Sequence, residues 1–91
     1  MAKFRESELT NYLKDFENKT KIELKFERGL EGKMILEEGT VKYDRDFGFI
    51  NIKGKQAEFR INTTLVDVYE KNDDEISIYI ESIVLKIKNL D

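Results

Sequence analysis

Short runs in which apolar and polar residues alternate constrain this chain more than any other feature. Ile22, Leu24 and Phe26 face one way, while Lys21, Glu23, Lys25 and Glu27 face the other. Ile50 and Ile52 share a face opposite Phe47, Phe49, Asn51 and Lys53. Ile76, Ile78 and Ile80 alternate with Ser77, Tyr79 and Glu81, and Ile83, Leu85 and Ile87 alternate with Val84, Lys86 and Lys88. Successive side chains on a strand point to opposite sides of a sheet, so a period of two marks a strand with one buried face.

One stretch keeps a different period. Leu9, Tyr12, Leu13 and Phe16 recur at helical spacing and predict an amphipathic helix over 5–18, with Ser7 as N-cap and Asn18 as stop. Its apolar stripe is expected to pack on the domain's own sheet, with a dimer or partner contact as the alternative. Strands follow over 20–28, over 33–44 with a bend at Gly39, over 47–53 and over 57–61. Residues 62–72 admit two readings. Asn62-Thr63-Thr64 could cap a short helix over 65–71, but Val66, Val68 and Tyr69 are strand formers. There is no proline and no internal repeat, so the 91 residues are read as one domain, 1–91. Within it lie the helix 5–18, an additional strand and turn over 20–31, and an OB-like barrel over 32–90. The expected fold is mainly β: a small five- to six-stranded OB-type barrel with an N-terminal α-helix, an SH3- or Sm-like barrel being the alternative.

Composition argues against catalysis. With neither histidine nor cysteine, the chain lacks the commonest general base, the commonest metal ligand and any thiol nucleophile. Asp73-Asp74-Glu75 lacks the alternation and glycine of a calcium loop. No enzyme, no metal and no cofactor are therefore expected. The glycines at 29 and 32 are not followed by the Lys-Ser/Thr pair of a phosphate loop. Met1-Ala2-Lys3-Phe4-Arg5-Glu6 has no apolar run behind it, and no window approaches the roughly 18 apolar residues of a membrane span. A soluble, cytoplasmic protein without membrane contact is the expectation.

Charge is sorted along the chain despite a net value of −3. Residues 42–60 carry Lys42, Arg45, Lys53, Lys55 and Arg60 against Asp44, Asp46 and Glu58, whereas 67–81 carry six carboxylates and one lysine, Lys71. The basic part coincides with an aromatic hairpin, Gly39-Thr40-Val41-Lys42-Tyr43 followed by Phe47-Gly48-Phe49-Ile50. These two segments resemble the first strand and the Gly-Phe-Gly-Phe-Ile motif of the cold-shock domain family, with Tyr43 where that family has tryptophan. Glu58-Phe59-Arg60-Ile61 is similar to its second motif. The stretch from Gly32 through Phe49 is also similar to the RNA-binding repeat of the largest small-subunit ribosomal protein.

The resemblance spans about residues 32–90 and implies binding of single-stranded RNA or DNA. Tyr43, Phe47, Phe49 and Phe59 would stack on bases, and Lys42, Arg45, Lys53, Lys55 and Arg60 would meet phosphates. Alternation sends Phe47 and Phe49 outward. It turns Phe59 inward with Ile61 and sets Tyr43 on the face of Val41, so only a bulge would bring Tyr43 out. Two other readings stand beside this one: an Sm-like barrel that binds RNA as a homo-oligomeric ring, and a protein-interaction module with the acidic 67–81 segment steering a basic partner.

Overall fold

In the computed structural model, which describes residues 2–91, every alternating run is a strand. The strands are β1 (Ala2–Phe4), β2 (Lys19–Glu27), β3 (Gly32–Asp44), β4 (Phe49–Lys53), β5 (Glu58–Asn62), β6 (Val66–Asn72), β7 (Glu75–Ile80) and β8 (Ile83–Asn89). They form one antiparallel sheet in the order β1-β6-β7-β8-β2-β3-β4-β5. The longest helical segment runs from residue 6 to residue 16. Its centre, α1 (Leu9–Leu13), is flanked by 3-10 turns at Glu6–Glu8 and Lys14–Phe16. A separate 3-10 turn spans Thr63–Leu65, where the Asn62 side chain accepts the Thr64 N–H as a cap.

The shape of the sheet is set by β3. Its thirteen residues would run about 40 Å if straight, yet the longest dimension of the molecule is 29 Å. The strand bends at Glu38-Gly39, where Glu38 takes a left-handed φ of 52°. Leu36 is buried before the bend and Val41 after it, so the inward parity switches from even to odd numbers, as a bulge requires. Gly39 permits this closeness, because a Cβ there would lie 2.9 Å from Ile22 Cδ1. The half of β3 before the bend pairs with β2, and the half after it pairs with β4. The sheet thus has a large leaf and a small one, the latter made of the end of β3 with β4 and β5.

The concave side holds the core. Ile22 and Leu24 of β2, Ile76 and Ile78 of β7, Ile87 of β8 and Ile50 and Ile52 of β4 are fully buried there. Leu9, Leu13 and Phe16 cover this side, so the helical stripe is spent on the domain's own sheet, as the spacing predicts. Phe4 on β1 joins them, with its ring 4.2 Å from Tyr12 and 5.4 Å from Tyr69.

The expected five- to six-stranded barrel is corrected to an open eight-stranded sheet. β1 pairs only with β6 and β5 only with β4, so the two edges do not meet. The helix covers the concave side that a barrel would have closed with its own strands. Two strands account for most of the extra count. β1 comes from a three-residue run too short to show a period. Residues 66–72 become β6 because Tyr69 and Lys71 pair with Ile78 and Ile76 of β7, which outweighs the helical reading. The helix is also shorter than 5–18. At its start the Arg5 N–H donates to the Glu8 carboxylate at 3.0 Å, in place of the Ser7 cap. At its end Asn18 does mark the stop, with a φ of 51°. β2, expected as an addition to a barrel, lies between β8 and β3.

Candidate nucleic-acid interface

The small leaf turns one face to the core and the other to solvent. Register assigns every residue to one of them, since residues paired across antiparallel strands share a face. Tyr43, Ile50 and Ile61 form one row, and Val41, Ile52 and Phe59 the next, both on the concave side. Lys42, Asn51 and Arg60 form a row on the outer side, flanked by Asp44 with Phe49 and Asn62 and by Lys53 with Glu58.

The turn from β3 to β4 sets the edge of this outer face. Asp44 Oδ1 accepts the N–H groups of Asp46 at 3.1 Å and Phe47 at 3.3 Å. The Gly48 N–H donates to the Asp44 carbonyl at 2.9 Å. Gly48 has a φ of 71°, which glycine adopts without strain. Its carbonyl accepts both the N–H and the hydroxyl of Thr63, each at 2.9 Å. A turn tied at these points holds Phe47 out in solvent, 76% exposed. An exposed phenylalanine on a braced turn is a ready contact for another flat ring.

Arg60 organises the middle of the face. Its guanidinium carbon lies 5.0 Å from the centroid of the Phe49 ring, a cation–π geometry. Its Nε donates to Asn51 Oδ1 at 3.2 Å. A guanidinium can only donate, so the Asn51 oxygen must face it and the amide N–H groups are left for another acceptor. Asp44, Phe47, Phe49, Asn51 and Arg60 together line a depression of about 330 Å³.

Part of the large leaf's charge is paired, although Lys3, Lys19, Lys21 and Lys88 on its strands make no ion pair among the described residues. On the large leaf, Lys25 and Lys86 lie 3.4 and 3.3 Å from Glu27, and Lys33 lies 3.9 Å from Glu23. The Lys86 contact, with Lys25 behind it, holds the Glu27 carboxyl below its usual range. Among the described residues, none of Lys42, Arg45, Lys53, Lys55 and Arg60 lies within 4.0 Å of a carboxylate.

Of the expected site residues, Lys42, Phe49, Lys53 and Arg60 share the outer face, and Phe47 and Arg45 sit at its turn. Tyr43 and Phe59 do not join them. No bulge lies between Tyr43 and β4, so Tyr43 keeps the face of Val41. Burial, followed by the nearby Glu6 carboxylate, raises the Tyr43 phenol above its usual value. Phe59 is half-buried on the concave side, its ring 6.1 Å from that of Phe26. Lys55 stands in the β4–β5 connection, at the opposite end of β4 from Phe47. Two residues outside the expected set belong to the depression. Asn51 was legible from its alternation with Phe49 and Lys53. Asp44 shows itself only through its bonds to the turn.

Among the described residues there is no group of three potential metal-ligating side chains, and no helix is long and apolar enough to cross a membrane. Fold and face together define a small open β-sheet domain with an aromatic and cationic outer surface. No family model, curated protein or solved structure matches the chain.

Proposed function

We propose that this protein binds single-stranded nucleic acid, most readily RNA, across the outer face of β3, β4 and β5. The observation that carries the reading is the coincidence of unpaired cations with an exposed aromatic ring on one small leaf. Lys42 and Lys53 meet phosphates, Phe47 offers an open ring face on which any base can stack, and Arg60, lying over the Phe49 ring, adds a second flat cationic surface. Lys25, Lys33 and Lys86 of the large leaf, which already face Glu27 and Glu23, contribute less. The reading rests on this face and not on an OB barrel.

The test is a fluorescence-anisotropy titration of a labelled single-stranded RNA of about 12 nucleotides, a length within the usual site size of such surfaces. Phe47→Ala is the informative variant because so exposed a ring contributes little to stability, within about 0.5 kcal/mol. Wild type should bind, and the variant should keep its Tm and lose roughly fivefold to a hundredfold in affinity, the value of one stacked base. A folded wild type that ignores the strand at low salt would refute the reading.

One observation favours a second reading. Phe26, Leu30, Phe59, Ile61, Ile80 and Ile83 line an apolar groove of about 200 Å³ beside the open β5 edge. A protein segment added along β5 would use that edge and groove. Binding that is indifferent to salt and to Phe47→Ala would favour it.

A further inference from the structure

The depression on the outer face holds more than a stacking surface, and its polar groups have a definite pattern. This inference rests on the nucleic-acid reading above and specifies the base. Asp44 and Asn51 are diagonal neighbours on adjacent strands, since Asp44 pairs with Phe49 and Lys42 with Asn51. Diagonal positions on one sheet face are separated by about 7–8 Å, a spacing that the edge of one nucleobase can bridge. At one end, Asp44 Oδ1 is occupied by the Asp46 and Phe47 amides, while Oδ2 has no hydrogen bond among the described residues. At the other end, Asn51 presents N–H donors, because its oxygen is taken by Arg60. The terminal N–H groups of Arg60 are further donors beside it.

Asp44 holds the turn through Oδ1, which leaves Oδ2 as a charged acceptor at the rim of the depression. No cation lies within 4.0 Å of Asp44 among the described residues. A charged acceptor at one end and donors at the other match a base edge that presents donors and then an acceptor. We infer that the depression formed by Asp44, Phe47, Phe49, Asn51 and Arg60 is a recognition site for a single guanine of the bound strand. The guanine N1–H and N2–H groups meet Asp44 Oδ2, and its O6 accepts from Asn51 Nδ2. The ring lies against the exposed Phe47. Adenine and cytosine set a ring nitrogen lone pair beside their one exocyclic donor, which the carboxylate repels. Uracil flanks its one N–H with two carbonyls.

The experiment compares short uridine-rich RNAs that carry one central guanosine, inosine, adenosine or cytidine. Inosine keeps O6 and N1–H and lacks only the N2 amine. Wild type should prefer guanosine over adenosine and cytidine by roughly fivefold to a hundredfold, the usual cost of one wrong base, and over inosine by a smaller factor. Asp44→Asn keeps a carbonyl oxygen for the Asp46 and Phe47 amides, so the turn stays formed. It should erase the preference and leave affinity for the adenosine strand equal or stronger. Equal binding of all four strands by wild type, with salt dependence retained, would overturn the guanine site and leave the general reading standing. A preference that survives in Asp44→Asn would overturn it as well. If wild type binds none of the strands, the general reading fails and this inference falls with it.

Discussion

Two buried hydroxyls, of Thr40 and Tyr69, have no hydrogen-bond partner among the described residues. Tyr69 is the more telling, because its ring is stacked on Phe4 in the core while its polar tip gains nothing there. Removing an unsatisfied hydroxyl while keeping the ring is neutral or stabilising, by up to about 1 kcal/mol. Tyr69→Phe should therefore unfold in urea at the same or a higher concentration than wild type at neutral pH. The same group has an alkaline signature. Burial, with Glu6 and Tyr43 behind it, pushes the folded-state phenol far above its ordinary value. An unfolded tyrosine ionises near pH 10, so Tyr69's contribution is intact below about pH 10 and lost as pH rises above it, at about 1.4 kcal/mol per unit. Tyr69→Phe should shed that share of the loss, and urea melts of both proteins at about pH 9 and pH 11 would measure it.

At the scale of the element, β3 is the decisive strand because it belongs to both leaves. Its bend depends on Gly39, which admits Ile22 where a side chain would collide. Gly39→Ala should cost about 1–3 kcal/mol, as overpacking of a filled core does. That is a large part of the roughly 5–14 kcal/mol margin of a chain this size. Gly32, on the same strand, has ordinary backbone, and a Cβ added to it would meet nothing within 4 Å. Gly32→Ala should be neutral or stabilising by up to about 1 kcal/mol. Chemical denaturation of both variants is the check. Equal stability would mean that the bend is not held by this contact.

For the whole molecule, the division between paired and unpaired cations makes a quantitative prediction. Each phosphate contact with a single strand contributes about −0.7 to the slope of log K against log salt. Replacing Lys42 and Lys53 together with alanine should flatten the slope by about 1.4. Replacing Lys25 and Lys33, which already face Glu27 and Glu23, should leave it nearly unchanged. Titrations of the three proteins over a range of salt concentrations separate these outcomes. The contrast tests where on the sheet the strand runs, because all four lysines carry the same formal charge and differ only in their neighbours.

Alternation and helical spacing determined much of this protein by themselves. They placed the helix, the strands around Ile22, Ile50, Ile76 and Ile83, and the core side of each. They also sent Phe59 inward and left Tyr43 beside Val41, because side-chain direction on a strand is a local property of the backbone. Three matters were decided only by tertiary structure. Ala2–Phe4 became a strand because β6 offered it a partner and Tyr69 a ring to stack on. The sheet stayed open because a helix made elsewhere in the chain filled its concave side. Arg60, Asn51 and Phe49 came together, with Asp44 at the rim, because register across three strands set them on one face. Pairing and closure depend on contacts between distant residues, and no local pattern encodes which distant residues will meet.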